Sequence, residues 1–304
     1  MKKNLFSAKG IKLISAALVI LGLYSDAHAQ LNPMGASLFQ DQYLSNPAMA
    51  GINGGISVNL HYRNQWNSIP GAPVNYGLTG EFGLGDEKST VGLNMYNDKV
   101  GLLSRTRMVG TFAYHLPLNG QYDKLSFGVS IGFMSERVNN TNLIGDESDP
   151  TIGSFNNQSA YIDGDFGIAY TNKQWNVQAS ITNMNSFLNR TKRTIADVGT
   201  YFAAVGYRIF EDEESYGFNI EPKVAYRRIR GYNDILDVGA EVTLGSFENK
   251  AKGMVVYHSS KSISGGISMI MKSRYELSGF YNMQTSALRS NSGGIFEIGL
   301  GVRL

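Results

Sequence analysis

Apolar and polar residues alternate along nearly all of this chain beyond residue 53. In the stretch 54–66, Ile56, Val58 and Leu60 fall on one face of an extended backbone, and polar residues fall on the other. A period of two is typical of strands whose two faces meet different surroundings. No stretch after residue 30 has the period of an amphipathic helix. The pattern therefore predicts an all-β protein.

The alternation predicts about fourteen strands. The runs cover 54–66, 74–83, 89–97, 104–117, 124–138, 160–171, 173–184, 197–210, 214–229, 234–245, 250–259, 261–272, 274–284 and 294–304. Pro222 lies inside the ninth run and predicts a bulge or a break there, because proline cannot donate a ladder hydrogen bond. The eleventh run has no clear phase.

The connections between these runs differ in length according to their order. If the chain starts in the periplasm, the odd-numbered connections face outside, and they include the three longest, at about 139–159, 185–196 and 285–293. Long outer loops and short periplasmic turns are typical of bacterial outer-membrane barrels. A soluble sandwich has no reason to sort its loops in this way. The predicted fold is therefore a transmembrane antiparallel β-barrel of the outer-membrane type, with lipid against its apolar face.

Charged residues avoid the face that is predicted to meet lipid. A Lys or Arg at the lipid midplane costs about 2–4 kcal/mol, whereas a polar lumen removes that cost. Aromatic residues near several strand ends suit the two interfacial girdles: Tyr62, Trp66, Tyr114, Tyr170, Trp175, Tyr207, Tyr226 and Tyr275. The predicted lumen-lining charges are Glu81, Arg105, Arg107, Glu136, Asp163, Asp165, Arg208, Lys223, Arg227, Glu241 and Glu297. Arg105 and Arg107 are either a selectivity filter or, as is more common, partners of acids across the lumen.

The first 29 residues predict a signal peptide. A basic start and eleven apolar residues, Leu13 to Leu23, precede Ala27-His28-Ala29, so cleavage after Ala29 is expected. Eleven residues are fewer than the ~20 that a membrane-spanning helix needs. Residues 30–52 are predicted to be a periplasmic N-terminal segment or a hatch in the lumen, and residues 53–304 the barrel. The expected location is the cell outer membrane.

Composition excludes several classes of function. Without the four Lys and one Asp of the leader, the chain has 27 − 4 = 23 basic and 25 − 1 = 24 acidic residues, a net charge of −1. That balance does not fit nucleic-acid binding, which needs a basic stripe. The chain has no Cys, which excludes disulfides, thiolate metal sites and a lipid anchor on an N-terminal Cys.

No arrangement of residues predicts catalysis or a cofactor. His61, His115 and His258 lie on separate runs without a carboxylate at ligand spacing. Asp163-Gly164-Asp165 and the loop 145–150 are compatible with calcium, which favours clustered oxygens, but neither matches an EF-hand loop and the default is solvated loop and lumen charge. A hydrolase would need a titratable His or Ser near the rim, and the sequence shows no such cluster. We therefore predict no metal, no cofactor and no enzyme activity.

Short motifs in the first third of the chain resemble one family. Gln40-Asp41-Gln42-Tyr43, then Asn46-Pro47-Ala48-Met49-Ala50-Gly51, then Tyr62-Arg63-Asn64-Gln65-Trp66 and Ile69-Pro70-Gly71-Ala72-Pro73 follow one another. Asn97-Asp98-Lys99-Val100-Gly101 and Leu125-Ser126-Phe127-Gly128 continue the series. In order and spacing these motifs are similar to those of the PorP/SprF family, over about residues 40–132. The sequence departs in ending on Leu304, where outer-membrane strands commonly close on an aromatic residue.

The resemblance implies an outer-membrane component of the type IX secretion system of the Bacteroidota. Such proteins work with other components of that system and with a secreted partner, such as a gliding adhesin. They recognise the partner's C-terminal sorting domain, of the type B kind, and hold it at the surface. The family's N-terminal box maps to Asn46, Pro47, Ala48 and Gly51.

The loop from Trp66 to Pro73 is a candidate docking site for that partner, because two prolines stiffen it and Trp is a frequent interface hot spot. The predicted partner-binding residues are Arg63, Gln65, Trp66, Pro70, Gly71, Pro73, Asn97, Asp98 and Lys99. On the alternative interpretation, Arg63, Gln65 and Trp66 only cap the barrel rim. The alternative function is a transport barrel that passes or binds a small solute, since fourteen strands suit either role.

Overall fold

The alternating runs form strands in the computed structural model, which describes residues 35–36, 39–66, 69–86, 88–118, 122–138, 150–157, 159–188, 199–209, 217–230, 232–246, 248–285 and 293–304. All of these residues belong to one unit that spans residues 32–304. The strands are β1 (Ile56–Gln65), β2 (Val74–Gly83), β3 (Ser89–Val100), β4 (Leu103–Pro117), β5 (Lys124–Val138), β6 (Tyr161–Thr171), β7 (Trp175–Thr182), β8 (Thr200–Tyr207), β9 (Gly217–Ile229), β10 (Ile235–Gly245), β11 (Lys250–His258), β12 (Ser262–Met271), β13 (Tyr275–Gln284) and β14 (Ile295–Arg303).

Each strand pairs antiparallel with its sequence neighbours, and the first strand pairs with the last. The register of β1 against β14 runs from Ser57 opposite Arg303 to Gln65 opposite Ile295. The fourteen strands form a closed barrel. Closure pairs the backbone groups of every strand, as a wall that faces lipid requires. The predicted barrel and its strand number are thus confirmed, and the predicted runs end within a few residues of the observed strands.

The outward face of the barrel is apolar. Side chains such as Val129, Ile131 and Phe133 on β5 are exposed, and the residues between them are buried or half-buried. The same alternation continues on β14, where Phe296, Ile298 and Leu300 face outward. In a water-soluble protein so large an apolar surface would promote aggregation. In a membrane it is the surface that lipid covers.

Aromatic pairs lie on this outward face near both ends of the strands. At one end the rings of Tyr62 and Tyr76 lie 5.3 Å apart, centroid to centroid. At the other end Trp175 and Tyr207 lie 4.7 Å apart. Trp and Tyr at these depths suit the membrane–water interface, because each ring has an apolar body and a polar tip.

Two details differ from the sequence-based expectations. Pro222 neither breaks nor bulges β9, because each residue from Gly217 to Arg227 has one partner on β10. Pairing with β8 ends at Lys223, so Pro222 lies where that ladder stops. The ambiguous eleventh run becomes a regular strand in which Met254, Val256 and His258 are buried between exposed neighbours.

The odd-numbered connections, which include the three longest between strands, all lie at one end of the barrel, here called the outer end. Short helices occur in two of them: α1 (Pro150–Asn156) and α2 (Asn185–Leu188). The side-chain amide of Asn156 bonds both the N–H and the C=O of Val138, at 2.7 and 2.9 Å, which fixes α1 to the end of β5. None of the helices in the described part of the chain has the length and the apolar composition that crossing a membrane requires.

Candidate functional site

The N-terminal segment before β1 lies inside the barrel. Residues 39–55, here called the plug segment, form hydrogen bonds with groups on opposite sides of the wall. Gln40 donates to Glu276 on β13 at 2.7 Å, whereas the Asn46 side chain donates to the Ile168 carbonyl on β6 at 3.2 Å. The segment therefore crosses the lumen before the chain enters the wall at Ile56.

Two short 3-10 helices give the plug segment its shape. The first, Gln42–Leu44, begins where the Asp41 carboxylate accepts the N–H of Tyr43 at 3.2 Å. The second, Pro47–Met49, begins where the Asn46 side chain accepts the N–H of Ala48 at 3.0 Å. Asp and Asn are favoured at this position, and proline suits the first turn because its missing N–H would have no partner there. The motif Asn-Pro-Ala therefore encodes a local turn.

The first turn is fixed to β1, β2 and β4 by hydrogen bonds. The Asp41 carboxylate lies 3.0 Å from the His61 imidazole and accepts the Thr79 hydroxyl at 2.7 Å. The Tyr43 hydroxyl lies 2.7 Å from that of Thr111. Burial raises the pKa of the Tyr43 phenol, so the hydroxyl stays protonated and can donate.

The second turn fits against glycines in the wall. A Cβ at Gly128 would overlap the backbone of Pro47 and Ala48, and a Cβ at Gly167 would overlap the Asn46 side chain. Gly128 lies on β5 and Gly167 on β6, opposite each other in the register. A larger residue at Gly128 would exclude the turn, because backbone atoms cannot move aside as a flexible side chain can, whereas one at Gly167 would displace the Asn46 side chain.

The end of the family box bonds to β2 and β4. The Ala50 carbonyl accepts from the His115 imidazole at 2.9 Å. The Gly51 N–H donates to the Glu81 carboxylate, which also accepts the Ser57 hydroxyl at 2.7 Å. Gly51 has φ +73°, a conformation that L side chains rarely adopt. A residue with a Cβ would be strained in this conformation, which accounts for the glycine at position 51.

The other half of the wall meets the plug segment through an apolar cluster. Phe39 packs among buried side chains that include Phe202, Met254 and Phe280. Ala36, the nearest described residue upstream, belongs to the same cluster. These inward-facing apolar residues of β8, β11 and β13 replace the polar lining that the alternation predicts for a lumen.

Above the plug segment, toward the outer end, lumen charges form pairs. Arg105 on β4 lies 2.8 Å from Glu136 on β5. Arg107 binds both Asp163 and Asp165 on β6, at 2.8 and 2.5 Å. Further pairs near this end are Arg63–Glu297 at 3.2 Å and Arg227–Asp237 at 2.6 Å. Lys223–Glu241 at 3.3 Å and Arg208–Glu221 at 3.0 Å lie farther from it, Arg208 at the end of the even-numbered turns.

These pairs bear on whether Arg105 and Arg107 form a selectivity filter or pair with acids across the lumen. A selectivity filter needs charges that face an open path, but the side chains of Arg105 and Arg107 are buried and engaged by acids. The guanidinium of Arg107 also occupies the space between Asp163 and Asp165, where a calcium ion was considered. Residues 139–149, which carry most of the other calcium candidate, lie outside the described residues.

One buried group was not visible in the sequence. Asp237, His258 and Ser264, on β10, β11 and β12, form a chain in which the imidazole nitrogens lie 2.6 Å from the carboxylate and 2.7 Å from the hydroxyl. The sequence shows no such cluster, because only strand register brings the three residues together. All three side chains have 0% exposure, and Arg227 also pairs with Asp237. A substrate could not reach Ser264, so these three hydrogen-bonded residues have a structural role in this arrangement.

A cavity of about 680 Å³ lies on the other side of the plug segment, at the end of the even-numbered turns. Its lining includes Gln40 and Ile52 of the plug segment and Lys88 and Asp86 of the β2–β3 turn. Asp86 accepts the hydroxyl and N–H of Ser89 and the N–H of Lys88, which lowers the pKa of its carboxyl to about 2. The carboxylate is therefore charged at any physiological pH.

Comparison with protein families gives a direct assignment. Residues 27–302 match the model of a family described as "Type IX secretion system membrane protein PorP/SprF". The chain belongs to the PorP/SprF family. This confirms the family indicated by the motifs and makes the protein a type IX secretion membrane protein with an outer-membrane barrel fold.

Solved barrels also align with this PorP/SprF protein. The outer-membrane protein Omp33 of Acinetobacter baumannii is 8% identical, with 82% of this chain and 98% of that chain covered and a TM-score of 0.47. A porin mutant of Rh. blastica is 10% identical, with 82% and 99% covered and a TM-score of 0.35. No curated protein matches the chain.

At the outer end of the PorP/SprF barrel, the β1–β2 connection is held on both sides. The Trp66 N–H donates to the Gly294 carbonyl before β14 at 2.8 Å, and the Gly101 N–H of the β3–β4 turn donates to the Gly71 carbonyl at 2.8 Å. Trp66 has φ +52°, an uncommon conformation for a bulky residue. Between these two attachments Ile69 and Pro70 are exposed.

The structure divides the predicted partner-binding residues into three groups. Arg63, Gln65 and Asp98 face the lumen, so they support the wall from inside. Trp66, Pro70, Gly71 and Pro73 belong to the β1–β2 connection, here called the rim connection. Pro70 and Gly71 are exposed there, and Trp66 and Pro73 are half-buried. Asn97 and Lys99 face outward, on the lipid-facing side of β3.

Sequence reasoning missed the residues that seat the plug segment. Phe39 precedes the recognised motifs, and Gly128 and Gly167 resemble ordinary glycines of a strand. A weak signal was present, since both glycines interrupt otherwise regular inward columns on adjacent runs. Only the path of the plug segment shows what space they leave.

Proposed function

We propose that this PorP/SprF protein recognises the C-terminal sorting domain, of the type B kind, of a secreted protein and holds it at the cell surface. Gliding adhesins are the expected clients. Family membership supports a role in type IX secretion beside other components of that system. Export by a signal peptide cleaved after Ala29, and an outer end that faces outside, complete the proposal.

The anchored rim connection is the observation that carries the docking step. Its backbone is fixed at Trp66 and Gly71 by hydrogen bonds to the two neighbouring connections, while Ile69 is 43% exposed. A loop held in one conformation loses less entropy on binding than a mobile one. Pro70 and Pro73 restrict the backbone further. An apolar tip on a rigid base suits the edge of a folded domain.

The filled lumen favours docking at the rim over passage of a solute. The plug segment crosses the barrel and bonds to strands on both sides. The buried charges toward the outer end are paired with each other and are not free to bind a solute. The cavity at the even-numbered turns ends at the plug segment. Steady single-channel conductance of the purified protein would instead favour the transport alternative.

Capture of a type B sorting domain by the purified protein tests the proposal. Ile69→Glu is expected to reduce capture about tenfold, because it places a charge in a desolvated contact. Leu84→Glu is the matched control, since Leu84 is 48% exposed in the β2–β3 turn at the opposite end. Trp66→Ala is expected to weaken capture while leaving barrel assembly intact. Capture that survives Ile69→Glu and Trp66→Ala, or that Leu84→Glu weakens equally, would reject docking at this connection.

A further inference from the structure

Polar residues on the lipid-facing side of the barrel gather in one place. The outward-facing charged residues of the described strands are Lys99 on β3, Arg137 on β5 and Arg228 on β9. All three lie near the outer end. Arg228 has a nearby acid, Asp234, at 3.9 Å. Lys99 and Arg137 have no acidic partner among the described residues, and both are exposed.

Lys99 and Arg137 belong to one continuous patch. Lys99 lies opposite Ser104 on β4, and Ser104 lies opposite Arg137 on β5. Neighbouring strands are about 4.8 Å apart, so the two backbones are separated by about 10 Å and the long side chains can converge on one group between them. The outer-end patch consists of Asn97, Lys99, Ser104, Thr106, Ser135 and Arg137.

The neutral members of the outer-end patch are oriented to donate hydrogen bonds. The Asn97 side-chain amide donates to the Ser104 hydroxyl at 3.0 Å and to the Thr106 hydroxyl at 2.8 Å. Each hydroxyl oxygen therefore accepts from Asn97 and keeps its own hydrogen for another acceptor. Two cations and two hydroxyl donors around one point match the oxygens of a phosphate.

The sheet separates this patch from the nearest carboxylates. Asp98 and Glu136 alternate with Lys99 and Arg137 along the strands, so they face the lumen. Glu136 is engaged there by Arg105 at 2.8 Å. The positive charge on the outer surface is thus not neutralised from within.

Directly below the patch the surface is apolar. Met95, Met108 and Phe133 form one row across β3, β4 and β5, and they are 36%, 50% and 61% exposed. A ligand that fits both parts has an anionic head and hydrocarbon chains. On the outer side of an outer membrane, a phosphorylated glycolipid has that chemistry.

We propose that the outer-end patch on β3, β4 and β5 binds the phosphate of an outer-leaflet glycolipid of the lipid A class, with its acyl chains along the row of Met95, Met108 and Phe133. The inference rests on the orientation assigned under the proposed function, in which the outer end faces outside. It is otherwise independent of the sorting domain. A bound glycolipid here would hold the barrel at a fixed depth beside the rim connection.

Native mass spectrometry of the full-length protein in detergent tests the proposal, with monophosphoryl lipid A as the probe. The same lipid after phosphatase treatment should bind about tenfold less, as should lipid A to the double variant Lys99→Gln with Arg137→Gln, because two cations near an anionic headgroup are lost. Arg228→Gln is the matched control and should bind normally. Lys99→Arg with Arg137→Lys should also bind, since the charges remain.

Several outcomes would overturn the proposal. Unchanged binding by the double Gln variant, or equal binding of the dephosphorylated lipid, would show that the apolar surface alone holds the lipid. A preference for phosphatidylglycerol over lipid A, abolished in the double variant, would place the patch in the inner leaflet and reverse the orientation. Sorting-domain capture by the single variant Arg137→Gln, which changes no predicted partner-binding residue, should stay normal, and this separates a failure here from a failure of the docking proposal. Gel mobility before and after heating checks that each variant is folded.

Discussion

The two halves of the lumen wall meet the plug segment with different chemistry. On the β1–β7 side, Asp41, Tyr43 and Asn46 make side-chain hydrogen bonds to the wall. On the β8–β13 side, Phe39 packs into an apolar cluster with Phe202 and Phe280. The two sides lie across one lumen and hold the same stretch of chain.

The difference shows how the plug segment combines strength with a defined position. Burial of apolar area is favourable but has no direction, so it does not by itself choose one placement. Hydrogen bonds add less net stability, yet a buried group that misses its partner is penalised. We therefore expect changes on the apolar side to lower stability most, and changes on the polar side to shift the segment with a smaller loss.

Removing the apolar anchor should have the largest effect. Phe39→Ala is expected to lower the free energy of unfolding by about 4 kcal/mol, because a large buried side chain leaves a cavity. Equilibrium unfolding in urea measures this change. Phe112→Ala is the matched control, since Phe112 faces lipid and is 50% exposed. Equal losses in the two variants would mean that Phe39 is not an anchor.

Filling the space beneath the second turn should have the next largest effect. Gly128→Val is expected to cost about 3 kcal/mol and to unseat the plug segment, because its side chain would overlap the Pro47–Ala48 backbone. Single-channel recording should then detect conductance that the wild type lacks. Gly80→Val is the control, because a Cβ there meets no atom within 4 Å. If the Gly128→Val variant showed no conductance and had wild-type stability, that result would contradict the placement of this turn against Gly128.

Deleting the polar anchor should have an intermediate effect. Asn46→Ala removes the cap of the second turn and the bond to Ile168, and we expect a loss of about 2 kcal/mol. Amide hydrogen exchange within residues 46–52 should accelerate, whereas exchange in the barrel strands should not change. Asn46→Asp keeps the acceptor that caps the turn and should recover part of the loss. If Asn46→Ala accelerated exchange no more than Asn46→Asp, the capping role would be refuted.

A single hydroxyl on the polar side should have the smallest effect. Tyr43→Phe removes the bond to Thr111 and is expected to cost about 1 kcal/mol. Thr111→Val should cost more, because it also removes the bond to the Ser130 hydroxyl at 2.7 Å. The double variant should cost less than the sum of both, because each single change already removes the bond between Tyr43 and Thr111. Additive losses in this double-mutant cycle, measured by urea unfolding, would mean that the hydroxyls are not coupled.

Much of the barrel was predictable because its pattern is local. Alternation on β5 marks the strand from Lys124 to Val138 at the same bounds in sequence and structure. Pro222 was misjudged because the effect of a proline depends on whether a neighbouring strand still pairs beside it, and pairing with β8 ends one residue away. The triplet of Asp237, His258 and Ser264 was missed for a related reason, since register on three strands has no signature in the sequence.

The candidate site was predictable only in part. The resemblance singled out the motif at Asn46–Gly51 as the family's N-terminal box, and the structure places its turn against Gly128 and Gly167. The predicted partner-binding residues include side chains that point to opposite faces of the wall. Neighbours on a strand, such as Asp98 and Lys99, face opposite sides of the sheet. The role of the rim connection in partner binding stays a prediction.

The sequence by itself determined the strands, their two faces and the family, since each depends on spacing along the chain or on short motifs. The tertiary structure decided which residues meet inside: Arg107 with Asp163 and Asp165, Gln40 with Glu276, Phe39 with Phe280. These partners are distant in sequence, and they come together only when neighbouring strands pair in one register and β1 closes on β14. Closure and the path of a short segment through the lumen are global properties, and no local pattern contains them.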